Sequence, residues 1–352
     1  MKIFYRDLQN AACEILRLVG ESKENAQIAS EIMVINDLRG ISTHGTNLLR
    51  MIAKRCEAKM LSLPTRVVVV SEDMATLVLD GGDGLGQVAG YKMMNAAIEK
   101  AHLYGLGMAL LRDTNNVGSL GYYVHKAAMQ NMAAIMMTNG NPSMAPYGGA
   151  EPFLGSNPIA FAVPTSSEMP VMLDMSSSVV ARGKIRMAAL KNENIPLDWA
   201  LDSEGNPTSD PQKALKGCLM PVGGPKGSGL AIIVDIFAGI LSGSSYGRNL
   251  KSFHELEGKT GVGACFIAID ISRFMAVDKF RNLVGEYTRA LKSCELREGF
   301  EEILLPGEIE LRKEQESREN GIDMPVEVIN DLNELLRKAG ANFLLRPMDQ
   351  CR

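Results

Sequence analysis

The sequence predicts an α+β fold: a central mixed α/β unit over residues 66–271, and a helical unit built from both ends, residues 1–65 with about 272–352. Three observations carry that expectation. Apolar residues recur at helical spacing near both ends, and from Arg66 onward the texture changes to short β-rich runs interleaved with helical stretches. The length, 352 residues, suffices for two cores. The composition, 46% hydrophobic and 22% charged with mean hydropathy −0.01, is that of an ordinary globular chain.

Element by element, a first helix runs from about Tyr5 to Val19. Ser22 reads as the N-cap of a second helix reaching Leu38, with Glu24 in its first turn where the helix dipole favours an anion. Asn25, three beyond Ser22, denies it a capping box. Arg39 to Gly45 breaks the pattern. RVVVV, ATLVLD, GMALLRD, AAIMMT, IAFAV and PVMLD read as strands, with helical stretches at 87–104 and 118–131. ENIPLDWALDSEGNPTSDPQKAL, crowded with Pro, Gly, Asn and Asp, reads as a long surface excursion before a helix beginning near Lys226. ACFIAID is a strand, a helix follows from about Ser272 to Cys294, and FEEILLP reads as a short strand. Charged amphipathic helices at 308–320 and 325–339 then precede a tail.

Charge and cysteine usage exclude several classes. A net charge of −4, an isoelectric point near 5.7 and scattered Lys and Arg give a polyanion nothing to hold, so no nucleic-acid partner is expected. The N-terminus, MKIFYRDLQNAACEILRLVG, carries charges through its apolar residues, unlike a secretory segment or a membrane span, so a cytoplasmic protein without a membrane partner is expected. Six cysteines (Cys13, Cys56, Cys218, Cys265, Cys294, Cys351) lie far apart with no CxxC pair, which points to reduced thiols, no disulfide and no metal. The 21 methionines read as core filler.

Three segments carry chemistry. His44, one of four histidines, sits in RGISTHGTNLLR, a polar break after a long helix; its side chain exchanges a proton near neutral pH, although capping the preceding helix is the alternative. ATLVLDGGDGLGQVAG places Gly84, Gly86 and Gly90 between a strand and a helix. Its G-x-G-x-x-x-G spacing departs from the dinucleotide fingerprint, and a tight strand-to-helix turn is the simpler reading. GGPKGSGL puts Gly223, Gly224, Gly227 and Gly229 around Lys226 at a helix start. Unpaired N–H groups, close backbone approach and a full charge make it the better anion cradle, with glycine packing beside a buried helix as the alternative.

RGISTHG, GQVAG, NVGSLGYY, APYGGAEPFLGSNPIAFAVPT, LDMSSSVVARGKI, WALDSEGNPTSDP and GGPKGSGL occur in the order and spacing of the malate/L-lactate dehydrogenase family, and the chain resembles that family to about Arg312. Ureidoglycolate dehydrogenase and 2,3-diketogulonate reductase belong to it too. The resemblance implies a non-Rossmann fold, a homodimer, and an oxidoreductase that moves hydride between NAD or NADP and a small 2-hydroxy acid. It implies cofactor contacts at Gly140, at Asp174, Met175 and Ser176, at Lys226, and at Gly307 and Glu308. It also makes His44 the group that exchanges a proton with the substrate oxygen. Thr43 and Asn115 flank the two site segments as substrate contacts.

Two departures bear on substrate. Where many members have an arginine four residues after the histidine this chain has Leu48, leaving Arg50 as the nearest carboxylate ligand, with Arg39 and Arg182 as further cations. Where many have a second histidine this chain has Asn116, which hydrogen-bonds an oxygen but carries no exchangeable proton at neutral pH. The expectation is a malate- or lactate-like 2-hydroxy acid as substrate. Reduction of cyclic imino acids or keto sugar acids, and a catalytically weakened nucleotide-binding member, are the alternatives.

Overall fold

The computed structural model describes residues 1–348. A two-residue strand β1 (Lys2–Ile3) precedes helices α1 (Tyr5–Leu18) and α2 (Lys23–Leu38). Ser22 caps α2, its hydroxyl accepting the Asn25 amide at 3.3 Å. Two 3-10 turns, Ser42–His44 and Thr46–Leu48, lead into α3 (Leu49–Glu57). The central run is β2 (Val68–Asp73), β3 (Thr76–Asp80), α4 (Gly86–Tyr104), β4 (Leu106–Thr114), α5 (Gly121–Ala128), β5 (Met132–Thr138), β6 (Ile159–Val163) and β7 (Val171–Met175). Next come α6 (Arg182–Lys191), β8 (Ala200–Leu201), α7 (Pro211–Lys216), β9 (Cys218–Leu219), α8 (Pro225–Asp235), a π-helical turn Ile236–Ile240, and β10 (Val262–Asp270). The chain closes with α9 (Val277–Lys292), α10 (Glu308–Asn320), β11 (Ile322–Asp323) and α11 (Val326–Lys338).

Seven strands form one mixed sheet in the order β2-β3-β4-β10-β5-β6-β7. Only β3 and β4 pair in parallel, across the α4 crossover, and every other pairing is antiparallel. That is not the doubly wound parallel sheet of a Rossmann fold. The two-residue period of the strands sorts their side chains cleanly. Ala109, Leu111, Ala134, Met136, Ala264 and Phe266 pack with residues of α4 and α5. Leu110, Met137 and Cys265 pack with Val234 of α8. The ends of the chain meet: β1 pairs with β11, Lys2 opposite Asp323, and Ile3, Leu8, Leu16, Met33 and Leu49 share an apolar cluster with Ile322, Ile329, Leu332 and Leu336.

Four local expectations change. FEEILLP is not a strand. Its Pro306 carbonyl accepts the Met172 amide at 3.1 Å, but proline has no N–H to return and the ladder cannot continue. The stretch read as a surface excursion holds β8 and α7. With the unanticipated α6 and the neighbouring β9 it forms a small lobe, in which Ile195, Ala200 and Ala214 are buried with Ile185 and Leu219. The helix expected at 118–131 spans only Gly121–Ala128, since Gly118 takes a φ of +83° and the residues before it form a loop. The tail, as far as it is described, is anchored: Asn333 of α11 bonds the backbone N and O of Leu345 at 2.8 and 3.1 Å. Residues 349–352 of that tail lie outside the described residues.

Candidate active site

His44 ends the 3-10 turn that follows α2, and its Nδ1 is buried with no hydrogen-bond partner among the described residues. Burial disfavours the imidazolium and pushes the His44 pKa down to about 4, so the ring is neutral at pH 7. A buried polar atom left without a partner needs an explanation, and a substrate hydroxyl or carbonyl supplies one. The turn is held from beneath by Asp37, whose Oδ2 accepts the Thr46 amide at 2.8 Å and the Thr46 hydroxyl at 2.7 Å. Desolvation raises the Asp37 carboxyl to about 7 despite those two bonds. Gly45 makes the approach possible, because a Cβ there would fall inside the Asp37 carboxylate.

The second segment is the loop between β4 and α5. Asn115 is buried and occupied: its Nδ2 donates to the carbonyls of Asp83 and Gly84, both at 3.0 Å, and its Oδ1 accepts the Thr260 hydroxyl at 3.1 Å. It braces the glycine turn and has little left to offer a ligand. Gly86 lets that turn press on the backbone carbonyls of Asn115 and Asn116, so the first glycine segment serves close packing and not phosphate. Asn116 is half-buried; its Oδ1 accepts the Gly118 amide at 2.8 Å, leaving its NH2 group without a partner in the described chain. The two segments are joined by Asn36, whose Nδ2 donates to the His44 carbonyl at 3.1 Å while its Oδ1 accepts the Ser119 hydroxyl.

From that loop the contacts run on to the end of β7. Asp174 Oδ2 accepts the Gly121 amide at 2.7 Å at the start of α5, and burial raises its carboxyl to about 6. Met175 is half-buried and pairs with Ile159. Ser176 shares a hydrogen bond with the Ser178 hydroxyl at 3.0 Å. Ser177 then accepts the Val222 amide through its carbonyl at 2.9 Å, which sets the GGPKGSGL loop against β7. Lys226 lies exposed in the first turn of α8 with no acidic partner among the described residues. A Cβ at Gly223, Gly229 or Gly140 would meet nothing within 4 Å, so these backbones face open space. That combination fits a phosphate-bearing cofactor.

Other expected residues lie apart from this network or are already engaged. Arg50 pairs with Asp331 of α11 at 2.6 Å on the exposed side of α3, and Arg39 is buried against Glu314 at 2.8 Å. Neither guanidinium is brought into the network as a carboxylate ligand. Glu308 takes Lys292 at 2.7 Å, Arg312, and the Leu305 amide at 3.0 Å; burial raises its carboxyl, but these donors outweigh it and hold it low. Glu308 is therefore engaged in tying the segment before α10 and two cations to the start of its helix. Gly307, at φ +82°, lies so close to Met172 of β7 that a Cβ would stand 2.5 Å from the Met172 carbonyl. Thr43 is exposed and approaches the start of α6, its Cγ2 3.8 Å from where a Gly183 Cβ would stand. That contact brings Arg182, otherwise exposed and bonded to the Leu215 carbonyl at 2.6 Å, to the neighbourhood of the His44 turn.

Asn36, Asp37 and Ser119 went unread in the sequence. Only the structure singles them out: Asn36 and Asp37 lie in the last turn of a helix and are buried beside its apolar positions, and Ser119 is buried opposite them.

Comparisons with known proteins identify the family and the fold. The family model described as malate/L-lactate dehydrogenase matches residues 3–333. The chain is 39% identical over 330 residues to the L-sulfolactate dehydrogenase of Methanocaldococcus jannaschii, covering 94% of this chain and 95% of that one. It is 36% identical over 346 residues to the malate dehydrogenase of Pyrococcus abyssi, covering 96% and 95%. The solved structure of the Methanocaldococcus jannaschii sulfolactate dehydrogenase superposes with a TM-score of 0.92 at 37% identity, covering 97% of this chain and 98% of that one. With the fold and the matched span in agreement, this chain belongs to the malate/L-lactate dehydrogenase family.

Proposed function

We propose that the protein interconverts a small 2-hydroxy acid bearing a second acidic group, such as sulfolactate or malate, with its 2-oxo acid. The cofactor is NAD or NADP; relatives are named for one or the other. The observation that carries the reading is the buried, unpartnered Nδ1 of His44, in a turn tied to the Asn116 loop.

A bound nicotinamide supplies the hydride acceptor for oxidation and the donor for reduction. The chain's own residues handle the proton and the charges. Neutral at pH 7, His44 accepts the substrate hydroxyl proton at its free nitrogen during oxidation. An anionic substrate beside the ring favours the imidazolium that results. The Asn116 NH2 group donates a hydrogen bond to the same substrate oxygen and orients it. The first N–H groups of α8 are taken by loop carbonyls, so Lys226, with the positive end of the helix and the open backbone at Gly223 and Gly229, receives the cofactor's phosphates. Leu48 is buried in the helical cluster, while Arg39 and Arg50 are paired with acids. Arg182, beside Thr43, is then the cation left for the substrate's distal acid.

The same reading includes a homodimer. Edge strand β2 exposes Val68, Val69 and Val70, and α8 with its π-helical turn exposes Ile232, Ile233, Ile236 and Ile240. An apolar sheet edge and an apolar helix face of this extent call for a covering surface, and a second copy supplies a self-complementary one. A monomer in sedimentation velocity at micromolar concentration contradicts this part alone.

The test of function is a panel of sulfopyruvate, oxaloacetate, pyruvate and a cyclic imino acid, each with NADH and with NADPH, followed by nicotinamide absorbance. The reading expects the two dianionic oxo acids to be reduced fastest. Preference for the imino acid overturns the substrate assignment, and oxidation of neither cofactor with any compound overturns the enzyme itself.

A further inference from the structure

Asn36 is fully buried near the end of α2, and the two ends of its side-chain amide serve different segments. Its Nδ2 donates to the His44 backbone carbonyl at 3.1 Å. Its Oδ1 accepts the hydroxyl of Ser119, itself buried, three residues after Asn116. Gly118 brings that loop against the amide: at φ +83°, its Cβ position stands 3.6 Å from Asn36 Nδ2. The loop's remaining freedom is removed by the Asn116 turn to the Gly118 amide, at 2.8 Å, and by Asp174 on the Gly121 amide, at 2.7 Å.

An amide buried without partners costs stability, and asparagine is a poor helix interior residue, so a fully buried asparagine here is explained only by what its two ends hold. Both observed bonds go to the chain, and neither goes to His44 Nδ1. We infer that Asn36 is a positioning residue which, anchored on Ser119, fixes the separation between His44 and Asn116 and so the alignment of proton transfer. A rigid planar amide of fixed length does this better than helix packing, because each end is directional. Misplacement of a reacting group by about an ångström is enough to cost ~10²-fold in rate.

The inference rests on His44 being the proton-exchanging residue, and the test separates the two. Steady-state turnover with the preferred oxo acid is measured for Ser119→Ala, Asn36→Ala, the double variant, Ser119→Thr and His44→Gln. NADH affinity by fluorescence and thermal midpoints are measured alongside. In protein with ¹⁵N-labelled histidines, the ring signal of His44 is followed with and without NADH.

Each single alanine variant is expected to lower kcat by ~10–100-fold with NADH affinity within about 2-fold. The double variant is expected to be no slower than Asn36→Ala, because both changes break one bridge. Ser119→Thr keeps the hydroxyl and most of the turnover. The His44 ring signal is expected to move in Ser119→Ala while those of His102 and His254 stay in place. Wild-type kcat and an unmoved His44 signal in Ser119→Ala, or effects that multiply in the double variant, overturn the inference. If those variants are unimpaired while His44→Gln is slow, only the positioning role falls; if His44→Gln itself turns over normally, the functional reading falls first. Should Asn36→Ala fail to fold, the Ser119 pair decides the matter alone.

Discussion

Replacing Gly45 by alanine tests how the histidine turn is built. The backbone there, at φ −89° and ψ −157°, suits any residue, so no strain arises from the dihedral angles. The obstacle is steric: the new methyl would fall inside the Asp37 carboxylate, whose farther oxygen, Oδ2, is only 2.8 Å away. Asp37 must move, and both bonds to Thr46, at 2.8 and 2.7 Å, go with it. Overpacking a tight site costs ~1–3 kcal/mol, and bonds to a charged acceptor are worth ~1.5–3 kcal/mol each. Part of that loss is returned when the carboxylate reaches water, which leaves a net of about 3 kcal/mol. At ~2 cal/mol/K of unfolding entropy per residue, over 352 residues, the thermal midpoint falls by about 4 °C. The decisive assay is a double-mutant cycle with Asp37→Ser, which removes the obstructing group. If the account is right, Gly45→Ala adds little in that background and the coupling exceeds ~1.5 kcal/mol. Additive effects within ~0.5 kcal/mol would refute the reasoning.

Lys226→Ala is expected to weaken NADH binding by ~10–100-fold, a loss of ~1.5–3 kcal/mol from one charge-assisted phosphate contact, with substrate KM little changed in fluorescence titration and steady-state assay. Arg182→Ala should raise KM for sulfopyruvate or oxaloacetate by ~10-fold or more and leave NADH affinity and pyruvate KM nearly unchanged; equal losses on all three acids would remove Arg182 from the substrate site. For pH, the Asp37 carboxyl lies at about 7 in the fold against 3.8 ordinarily. The folded state therefore holds a proton that the unfolded chain releases, and the associated stability is present below pH ~4 and lost as pH rises through about 7. The stability of wild type relative to Asp37→Asn should thus fall between pH 4 and 7, with a limiting slope of ~1.4 kcal/mol per unit. Denaturation curves showing a gap constant with pH would contradict it.

Much of the fold could be read because its signals are local. Ser22 marked the start of α2, the β-rich runs marked six strands before β8, and Pro225 with Lys226 opened α8 as the glycine pattern suggested. The misreadings arose from long-range contacts. FEEILLP has strand composition, yet whether it pairs depends on a proline meeting Met172, far away in sequence. The Pro- and Gly-rich excursion folds because Ile195, Ala200 and Ala214 find partners in α6 and β9. At the site, His44 and Lys226 stood out by chemistry and flanking glycines, and Asn116 only through the family resemblance. The engagement of Arg39 and Arg50 did not, since Glu314 and Asp331 approach from helices about 280 residues further on. Asn36 and Asp37 were hidden for the opposite reason: they continue a helical segment, and only the packed turn shows what their polar atoms hold.

The central claim is that His44 carries the proton in a nicotinamide-dependent oxidation of a 2-hydroxy acid. The most direct test is turnover of His44→Gln on the acid the panel selects, with NADH affinity measured in parallel. Glutamine keeps a polar side chain but cannot exchange the proton, so turnover should fall by ~10²–10⁴-fold while NADH affinity changes by less than about 2-fold. Turnover within a few-fold of wild type would show that the proton travels by another route and that His44 serves only to end its helix.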